Sequence, residues 1–301
     1  MEMEKMTCSI IILNWNGAEM LRRYLPSVVA HTTLPGCEII VADNGSTDDS
    51  LQVLQTEFPQ VRTIRLDANY GFAEGYNRAI AQVDSDYTVL LNSDVEVTEG
   101  WLEPLLDYLN THKDVAAVQP KIRSWRNRQL FEHAGAAGGY INRLGYPYCR
   151  GRVLWHVEED KGQYDTIADV DWTSGACMCV RTDVYKECGG LDAAFFAHME
   201  EIDLCWRMRN RGWRLVCLPQ SVVYHLGGGA LSYDSPRKTY LNHRNNLLML
   251  YKNQQHPWGV LLVRCVLDYA AAAFYLLQGR WGACKAVFAA RRDYRKMRSA
   301  Y

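Results

Sequence analysis

The sequence has no uncharged hydrophobic run long enough to cross a lipid bilayer. A spanning helix needs about 18 or more consecutive apolar residues, and the nearest candidate, Trp258–Leu277, is interrupted by Arg264 and Asp268. The residues before Cys8 are few and charged, and the apolar run after them resembles a strand rather than a signal peptide. We therefore expect a cytoplasmic protein that does not obviously span a membrane.

The ten cysteines form no Cys-x-x-Cys pair and no compact disulfide framework. This spacing leaves a reducing, cytoplasmic setting as the default. Cys177 and Cys179 are two residues apart, so alternation along a strand would place both on one face. We expect them to pack in the core rather than to bind a metal.

The chain has almost no net charge, −1 over 301 residues, so we expect no nucleic-acid partner. Hydrophobic residues make up 48% and charged residues 22%, a composition that can bury a core. The charge is uneven, because residues 291–298 hold five basic side chains against one acid, Asp293. The composition indicates an ordinary globular protein with a basic C-terminus.

Strand and helix signals alternate through the first part of the chain. Apolar strand-like runs at residues 8–13, 38–42, 61–66 and 87–91 are separated by helical patterns. Continuous apolar strands joined by helices predict an α/β fold whose mostly parallel sheet is covered on both faces. Residues 122–169 predict a long irregular excursion of the kind that lines a cleft.

Polar side chains follow three of these strands. Asn14, Asp43 and the segment Asn92–Asp94 all fall at predicted carboxyl ends of strands. Parallel sheets bind ligands beyond that edge. Asp43-Asn44-Gly45-Ser46 offers side chains suited to a base or ribose edge, although Asn-Gly turns are common in loops. The coincidence predicts a binding site at the edge of the sheet.

The segment 69–77 is a glycine-containing loop that runs into a predicted helix at Asn77. Backbone N–H groups there could approach a diphosphate at the helix N-terminus. The segment matches neither the dinucleotide-binding pattern nor the Walker pattern. On its own it is weak evidence for a phosphate site.

Two residues are candidate metal ligands. Asp94 at a strand end supplies a hard oxygen, as Mg²⁺ or Mn²⁺ prefers where phosphates and water complete the shell; taken alone, it could equally be a turn-forming Asp. His225 follows an apolar strand and could bind a metal through its imidazole, although a lone His is more often structural.

Three acids, Glu200, Glu201 and Asp203, lie within four residues at the start of a predicted helix. Such acids repel one another unless a cation or a substrate proton is close. Asp203 can pair with Arg207 one turn later, which would give it a structural role instead. Glu201 has no such local partner, and beside the aromatic pair Phe195–Phe196 it could have a raised pKa and act as a general base.

The ordered motifs resemble glycosyltransferase family 2, particularly its rhamnosyltransferase-like members. The similarity covers Ser9–Leu250 and rests on Ile-Leu-Asn-Trp-Asn-Gly, Val-Ala-Asp-Asn-Gly-Ser-Thr-Asp, Asn-Tyr-Gly-Phe-Ala-Glu-Gly-Tyr-Asn, Leu-Asn-Ser-Asp and Glu-Glu-Ile-Asp-Leu-Cys-Trp-Arg. It implies a GT-A domain over residues 1–250 and inverting transfer from a nucleotide-diphospho-sugar, either dTDP-rhamnose or a UDP-sugar. The acceptor would be a hydroxyl of a glycan or of a polyprenyl-linked glycan.

The resemblance also implies roles for individual residues. Asp94 and His225 would hold the divalent metal, Mg²⁺ or Mn²⁺, and Glu201 would be the base, with Glu200 as the alternative. On the acceptor side, Trp172 would stack on a sugar or belong to the core, and Ser174 and Asp203 would lie near it. The donor site would be lined by Asn14, Asn16, Asp43, Asn44, Asn69, Gly71, Asn77, Asn92 and Ser93.

Two positions depart from the family pattern. Asn92 stands where many relatives have Asp, so the metal site has one charge fewer and is expected to depend on the donor's phosphates. The base position is Glu201 rather than Asp, and its side chain is one methylene longer. Either the local backbone compensates for the extra reach, or Glu200 is the base.

Residues 251–301 predict a helical C-terminal region. If 258–278 is one helix, Arg264 and Asp268 lie on a single narrow polar stripe and the remaining surface is apolar. An apolar face next to basic residues is typical of a helix lying in the plane of a membrane. The alternative is packing within the protein or across a homodimer.

Two other functions remain open from the sequence. A sugar nucleotidyltransferase would need a basic, glycine-rich N-terminal loop, and the segment 14–17 has no Lys or Arg. A catalytically silent nucleotide-sugar-binding protein would not need the acids at positions 94, 200, 201 and 203, all of which are present. An active transferase is the interpretation that uses every motif.

Overall fold

The computed structural model describes residues 6–153, 156–227 and 235–301. The first part of the chain alternates strand and helix as predicted. Its elements are β1 (Cys8–Asn14), α1 (Ala18–His31), β2 (Cys37–Asn44), α2 (Ser50–Glu57), β3 (Arg62–Leu66), α3 (Gly71–Ile80) and β4 (Tyr87–Asn92).

The second part begins with short strands and ends in helices. Its elements are β5 (Val95–Val97), α4 (Glu103–Thr111), β6 (Val115–Ser124), β7 (Gly139–Ile141), β8 (Pro147–Cys149), β9 (Arg152–Val153), β10 (His156–Val157), β11 (Ala168–Asp169), β12 (Cys177–Arg181), α5 (Thr182–Glu187), α6 (Glu200–Asn210), β13 (Arg214–His225), α7 (Pro236–Asn253), α8 (Trp258–Leu277) and α9 (Trp281–Met297).

One large mixed sheet organises the protein. Its strand order is β11-β13-β6-β12-β4-β1-β2-β3, and β5 pairs with β13. The neighbours β3, β2, β1 and β4 are parallel, which confirms the prediction for the first part of the chain. The sheet as a whole is mixed because β12 runs antiparallel to both β4 and β6, while β13 is parallel to β6.

Both faces of this sheet are buried, and strand β1 shows why its sequence is continuously apolar. Ile11 packs in one hydrophobic core, whereas Ile10 and Ile12 pack in the other. Because successive side chains of a strand point to opposite faces, a strand covered on both sides needs apolar residues at every position. Cys177 and Cys179 follow the same rule: both are buried in one core with free thiols, so the packing prediction is confirmed.

The region predicted to be irregular contains more structure than expected. Strand β6 extends to Ser124, β7 pairs with β8, β9 pairs with β10, and β11 joins the edge of the large sheet. These strands are two or three residues long after β6, and so short a segment carries no readable periodicity. The excursion is therefore a set of small hairpins laid beside the sheet.

Two predicted boundaries differ from the structure. Helix α3 begins at Gly71 rather than at Asn77, so most of the predicted glycine loop is helical. Gly71 makes this early start possible, because its φ of +75° is in the left-handed region that favours glycine. The domain boundary predicted at residue 250 falls inside α7, which continues to Asn253.

Candidate active site

Strand pairing brings Asp94 and His225 together from positions 131 residues apart. Asp94 directly precedes β5, and the first residue of β5, Val95, pairs with His225 at the end of β13. The distance from Asp94 Oδ1 to His225 Nε2 is 3.1 Å. Asn92 lies beside them, with its Nδ2 3.4 Å from the same ring nitrogen. The two predicted metal ligands therefore meet at one edge of the sheet.

A third side chain, Glu132, completes this group and was missed by sequence reasoning. Its Oε1 lies 3.7 Å from Nδ1 of His225, on the side of the ring opposite Asp94. Its Oε2 accepts a hydrogen bond of 2.5 Å from the backbone N–H of Ala134, which fixes the carboxylate. Glu132 lies in the region predicted to be irregular, and no motif or periodicity there distinguishes it.

The electrostatics of this group are dominated by the two carboxylates around the imidazole. Burial by itself lowers the pKa of His225, but Asp94 and Glu132 together raise that pKa to about 10. Burial acts to raise the pKa of each carboxyl, and the imidazole opposes it strongly enough that both pKa values are lowered. Without a metal, the ring is thus a cation held between two anions.

The donor set at Asp94 and His225 fits a divalent cation that is completed from outside the protein. One carboxylate oxygen and one imidazole nitrogen converge there, and both are ligand types found around Mn²⁺ and related ions. Within the described ranges 6–153, 156–227 and 235–301, no group of three or more His, Cys, Asp or Glu side chains is arranged to hold a metal by itself. Phosphate oxygens and water would have to supply the remaining ligands.

The polar ends of β1 and β2 form the next part of the same edge. Asn14 and Asp43 are register partners, and Asn14 Nδ2 lies 3.3 Å from Asp43 Oδ1. Asp43 Oδ2 accepts a 3.0 Å hydrogen bond from the backbone N–H of Ser46. Asn14 Oδ1 is buried without a hydrogen-bond partner in the described chain. Gly17 is needed here, because a β-carbon would lie 2.3 Å from that oxygen.

The turn after β1 exposes an aromatic side chain that sequence reasoning did not single out. Trp15 is 56% exposed between Asn14 and Asn16, beside the predicted donor site. Asn16 Oδ1 accepts a 2.8 Å hydrogen bond from the backbone N–H of Thr47, which ties the two loops together. Asn16 therefore shapes the turn that presents Trp15.

Two of the predicted donor-binding amides are used within the protein. Asn44 Nδ2 donates to Asn69 Oδ1 at 3.2 Å and to the carbonyl of Gly71 at 3.0 Å. Asn44 Oδ1 accepts from the N–H of Tyr70, and Asn69 Oδ1 accepts from the N–H of Gly71. These bonds hold the start of α3 against the end of β2, so Asn44 and Oδ1 of Asn69 help to build the site.

Asn77 is turned away from the donor edge. Its Nδ2 donates to the carbonyl of Leu191 at 2.7 Å, and its Oδ1 accepts from the hydroxyl of Tyr185 and the N–H of Leu191. The amide therefore anchors the loop after α5, and the expectation that it binds donor is corrected to a structural role. Asn92 and Ser93 remain at the mouth of the sheet, where both are partly buried.

The loop before α6 has an unusual backbone. Phe196, His198 and Met199 have φ angles of +64°, +70° and +74°. Non-glycine residues adopt this left-handed region only at a cost of about 1 kcal/mol or more each, and such strain concentrates at functional sites. The strained segment ends directly at Glu200, the first residue of α6.

The two glutamates after this loop lack hydrogen bonds that carboxylates normally have. Glu200 is buried, Glu201 is partly buried, and one carboxyl oxygen of each has no partner in the described part of the chain. Burial raises the pKa of Glu201 to about 7, although the backbone N–H groups of Glu201 and Ile202 oppose the shift. Burial and the neighbouring Glu201 raise the pKa of Glu200 well above its ordinary value. The predicted raised pKa is thus present, with burial as its main cause.

Asp203 is an internal anchor. Its carboxylate receives hydrogen bonds from Arg207 Nε at 2.8 Å, Lys252 Nζ at 3.0 Å and Asn253 Nδ2 at 2.8 Å. The predicted pairing with Arg207 is therefore confirmed. Because Asp203 is fully buried among these partners, the expectation that it lies on the acceptor surface is corrected.

Trp172 and Ser174 also point inward. The indole N–H of Trp172 donates to the carbonyl of Tyr140 at 3.2 Å, and its ring packs over Gly139 in the core. The hydroxyl of Ser174 donates to the carbonyl of Ala134 at 3.0 Å. The core alternative therefore describes Trp172, and neither side chain is available to stack on or bond to a sugar in this conformation.

Helix α7 braces the strained loop through a residue that no sequence motif indicated. Asn245 Nδ2 lies 3.0 Å from the carbonyl of Phe195, 2.8 Å from that of Ala197 and 2.8 Å from that of His198. Asn245 is fully buried, so its amide is committed to these carbonyls. The acidic segment thus depends on α7 for its position.

The donor edge and the acidic loop are continuous. The backbone N–H of Phe72 donates to the carbonyl of Phe196 at 3.3 Å, and a β-carbon on Gly71 would lie 3.1 Å from the Phe196 ring. Gly175 lies against both Phe72 and Glu201. Phe196 is 44% exposed beside them. A molecule at the donor edge would therefore reach Glu201 across a rim of glycine and phenylalanine.

Comparison with known sequences identifies the family of the chain. The profile of Glycosyl transferase family 2 matches residues 9–184, more than half of the chain. An N-acetylglucosaminyl-diphospho-decaprenol L-rhamnosyltransferase of Mycobacterium tuberculosis is 26% identical over 83% of this chain and 85% of its own length. The rhamnosyltransferase WbbL of Escherichia coli is 25% identical over 52% of this chain and 61% of its own length.

Solved structures share the fold at low sequence identity. GalNAc-T7 with UDP, GalNAc and Mn²⁺ aligns with 83% of this chain at a TM-score of 0.65 and 16% identity, and this chain spans 48% of that one. The mannosyltransferase PcManGT from Pyrobaculum calidifontis, in complex with GDP-Man and Mn²⁺, aligns with 96% of this chain and 75% of its own, at a TM-score of 0.58 and 13% identity. The chain is a glycosyltransferase with a GT-A fold and C-terminal helices, and it belongs to glycosyltransferase family 2.

Proposed function

We propose that the protein transfers a sugar, with inversion, from a nucleotide-diphospho-sugar to an acceptor hydroxyl, and that Glu201 is the general base. The observation that carries this proposal is the state of Glu201: a partly buried carboxyl with a free oxygen and a pKa of about 7, at the end of a strained loop that adjoins the donor edge. A base is most effective when its pKa is close to the working pH.

Glu201 removes the proton of the acceptor hydroxyl as that oxygen attacks the anomeric carbon. The attack comes from the face opposite the departing nucleoside diphosphate, so the configuration at that carbon inverts. Burial and the neighbouring Glu201 hold the pKa of Glu200 well above its ordinary range, and we assign Glu200 a supporting role. Glu200 is the alternative base, should Glu201 prove dispensable.

The donor's nucleoside occupies the edge formed by β1 and β2. Asp43 and Asn14 offer polar atoms there, including the buried Asn14 Oδ1 that lacks a partner in the described chain. Trp15 supplies an exposed indole on which a base can stack. Asn92, Ser93 and the N-terminal turn of α3 at Gly71 line the route toward the phosphates, whereas Asn44 and Asn69 hold that turn in place.

Asp94 and His225 would hold the divalent cation, Mg²⁺ or Mn²⁺, together with the donor's diphosphate. When bound, such a cation neutralises the charge that develops on the departing diphosphate. His225 would bind the cation as the neutral imidazole, through Nε2. Glu132 would orient the ring from Nδ1, as carboxylates commonly do for metal-binding histidines.

The donor we favour is dTDP-rhamnose, with UDP-sugars as alternatives. Two similar proteins are named as rhamnosyltransferases. An O-antigen biosynthesis protein of Myxococcus xanthus, RfbC, is 26% identical over 72% of this chain and 17% of its own length. The mycobacterial relative is named for an acceptor that is a sugar linked through diphosphate to decaprenol. We therefore propose a glycan or polyprenyl-linked acceptor in the synthesis of a cell-envelope polysaccharide.

Such an acceptor places the reaction at the cytoplasmic face of the plasma membrane. A polyprenyl chain remains in the bilayer, so the enzyme works at the surface as a peripheral protein. A membrane surface and a second copy of the chain are then two candidate partners for the exposed apolar side of the C-terminal helices.

The test begins with thermal shifts in nucleoside diphosphates and nucleotide-sugars, each with and without Mn²⁺. A donor that binds the folded state raises Tm, and dTDP-rhamnose is expected to do so more than UDP-sugars. Release of nucleoside diphosphate is then measured with a short soluble acceptor. A protein that binds donor without turnover, under conditions where acceptor also binds, would be a silent nucleotide-sugar-binding protein instead.

A further inference from the structure

Helix α8 places its charged residues inside and its large apolar residues outside. Its buried positions are Leu261, Arg264, Asp268 and Ala272. Arg264 and Asp268 are 1% and 0% exposed, whereas Leu262, Val266, Phe274 and Leu277 are 71%, 66%, 59% and 86% exposed. A surface helix in water normally shows the opposite arrangement. The exposed side of α8 is therefore built to be covered by something apolar.

The buried charges fix this orientation. Asp268 accepts a hydrogen bond from Arg291 of α9 and lies 3.3 Å from Nδ1 of His243 on α7. Arg264 donates to the carbonyl of Leu144 at 3.0 Å and stacks on Tyr146. Rotating α8, or moving it away to span a bilayer, would strip these groups of their partners. The helix is long and apolar enough to cross a membrane, but its contacts keep it lying along the protein.

The exposed apolar side continues onto α9. The rings of Tyr269 on α8 and Phe288 on α9 lie 5.4 Å apart, and Phe288 is also exposed. We call the exposed residues Leu262, Val263, Val266, Tyr269, Phe274, Leu277 and Phe288 the outer face. Trp258 and Trp281 are exposed at its two ends, as aromatic residues often are where a protein meets the interface of a membrane.

Basic side chains border the outer face. Lys285 and Arg292 lie three and four residues from Phe288 on α9, and both are exposed, so the three share one side of the helix. Arg292 also pairs at the surface with its neighbour Asp293, and with Lys285, Arg295 and Lys296 the exposed charge of α9 is net positive. An apolar strip with a cationic border is complementary to an anionic lipid surface, where negatively charged headgroups cover apolar acyl chains.

We propose that the outer face docks in the plane of an anionic lipid surface. The apolar side chains would enter the boundary between headgroups and acyl chains, and Lys285 and Arg292 would meet lipid phosphates. A second copy of the chain would also cover the apolar residues. In a two-fold dimer, however, the same patch lies on both subunits, so one interface would contain both cationic borders. Charge therefore favours lipid.

Docking would also orient the active site, an inference that rests on the proposed lipid-linked acceptor. Helix α7 carries both Asn245, which braces the loop before Glu201, and His243, which meets Asp268 of α8. Tyr240 of α7 additionally donates to Asp293 of α9 at 3.1 Å. The membrane-facing helices and the catalytic loop are thus attached to one helix, which would hold the acceptor site at a set height above the lipid.

The proposal is tested by flotation of the full chain with vesicles. Vesicles of phosphatidylglycerol and phosphatidylcholine in equal parts are compared with vesicles of phosphatidylcholine alone. The variant Leu262→Gln/Val266→Gln/Phe274→Gln should lower the partition coefficient by about tenfold or more, since it removes exposed apolar groups without touching buried ones. The control Val153→Gln/Ile167→Gln, which changes exposed apolar residues elsewhere, should leave binding unchanged.

A second pair of variants tests the charged border. Lys285→Gln/Arg292→Gln should weaken binding to the anionic vesicles by about fivefold for each charge lost, and added salt should do the same. The control Lys113→Gln/Lys161→Gln removes two exposed charges far along the chain and should change binding little. Equal binding of the wild type to both kinds of vesicle would overturn the electrostatic part of the proposal.

Two further measurements separate this inference from the proposed function. Absence of vesicle binding by the wild type, or a dimer in sedimentation velocity that the Leu262→Gln/Val266→Gln/Phe274→Gln variant dissociates, overturns membrane docking. Transfer to a short soluble acceptor should persist in that variant, which also shows that it is folded. Vesicle binding without any transfer would instead overturn the proposed function and leave docking intact.

Discussion

His225 lies between two carboxylates, with Glu132 Oε1 3.7 Å from its Nδ1 and Asp94 Oδ1 3.1 Å from its Nε2. Because Nδ1 faces Glu132, Nε2 is the ring nitrogen that would bind a cation. We expect Glu132→Gln to weaken Mn²⁺ binding by about 10–100-fold, the usual effect of losing a carboxylate behind a histidine ligand. Titration of Mn²⁺ in the presence of nucleoside diphosphate, followed by electron paramagnetic resonance, measures this directly.

Glu158→Gln is the matched control for that experiment. Glu158 is a nearby acid whose carboxylate receives hydrogen bonds from Gln163 and Tyr164, away from His225. Its replacement should leave Mn²⁺ affinity unchanged. Equal affinity of the wild type and Glu132→Gln would remove Glu132 from the metal site.

The reaction rate is expected to follow the ionisation of Glu201. Its raised pKa of about 7 means that the carboxylate form is lost as pH falls below 7, so kcat should drop about tenfold per pH unit there and level off above. Glu201→Gln should lower kcat by about 10²–10⁴-fold and leave donor affinity nearly unchanged. Both are measured by nucleoside diphosphate release across a pH series.

Glu200→Gln distinguishes the two candidate bases. If Glu201 is the base, the Glu200→Gln variant keeps substantial turnover and a rate that still rises with pH. If Glu201→Gln turns over normally while Glu200→Gln does not, the assignment must be exchanged.

The burial of Glu200 should also make the free energy of unfolding depend on pH. Its pKa is raised in the folded state, so the native protein binds more protons than the unfolded chain, and the stability associated with this group is lost as pH rises above its unfolded value near 4.5. The variant Glu200→Gln has no ionisable group at this position, so it does not lose this stability as pH rises. The Tm of the variant minus the Tm of the wild type should therefore be larger at pH 8 than at pH 4.5. Each kcal/mol corresponds to about 2–4 °C for a domain of this size.

Differential scanning calorimetry at both pH values provides the measurement. Glu99→Gln, at an exposed acid, should show no such pH-dependent gain. A Glu200→Gln variant whose relative Tm falls on going to pH 8 would mean that Glu200 is stabilised as an anion by a partner.

Asn245 should affect catalysis more than its contribution to stability alone would suggest. Asn245→Ala leaves the carbonyls of Ala197 and His198 without their buried donor, at about 1–3 kcal/mol each. The loop before Glu201 should then relax, which lowers kcat while the affinity for nucleoside diphosphate is retained. Turnover with saturating donor and the Kd for the diphosphate are the two readouts.

The neighbouring Asn246 is a matched control. It is also a buried amide of α7, and it donates to the carbonyl of Gly145 at 2.7 Å, away from the acidic loop. Asn246→Ala should cost similar stability but preserve kcat. Equal losses of kcat in the two variants would show that Asn245 matters only for folding.

Much of the fold could be predicted because it depends on local pattern. The alternation of apolar strand runs with helices identified β1 to β4, and their parallel pairing placed Asn14 and Asp43 at one edge of the sheet, as expected. The sequence of β12 did not predict that this strand is antiparallel to β4, because a continuously apolar strand has the same pattern in either orientation. The early start of α3 depends on the left-handed backbone conformation of Gly71, which a glycine allows but does not require.

The candidate site divides in a similar way. The positions of Asp94, His225 and Glu201 were predicted from motifs, whereas the inward orientation of Ser174 was not, and a core position was one of two alternatives for Trp172. A motif identifies which segment belongs to the site, but the direction in which each side chain points depends on the neighbouring turns. For the same reason, Asn77 was predicted to contact the donor but instead donates a hydrogen bond to the carbonyl of Leu191.

The sequence by itself determined the elements, the edge at which polar residues collect, and the existence of one polar stripe on α8, because these follow from periodicity within short segments. Only the tertiary structure decided that Glu132 stands behind His225, that Asn245 holds the loop before Glu201, and which side of α8 is exposed. These relationships join segments distant along the chain, and the register and packing that bring them together are set by the whole fold rather than by any local pattern.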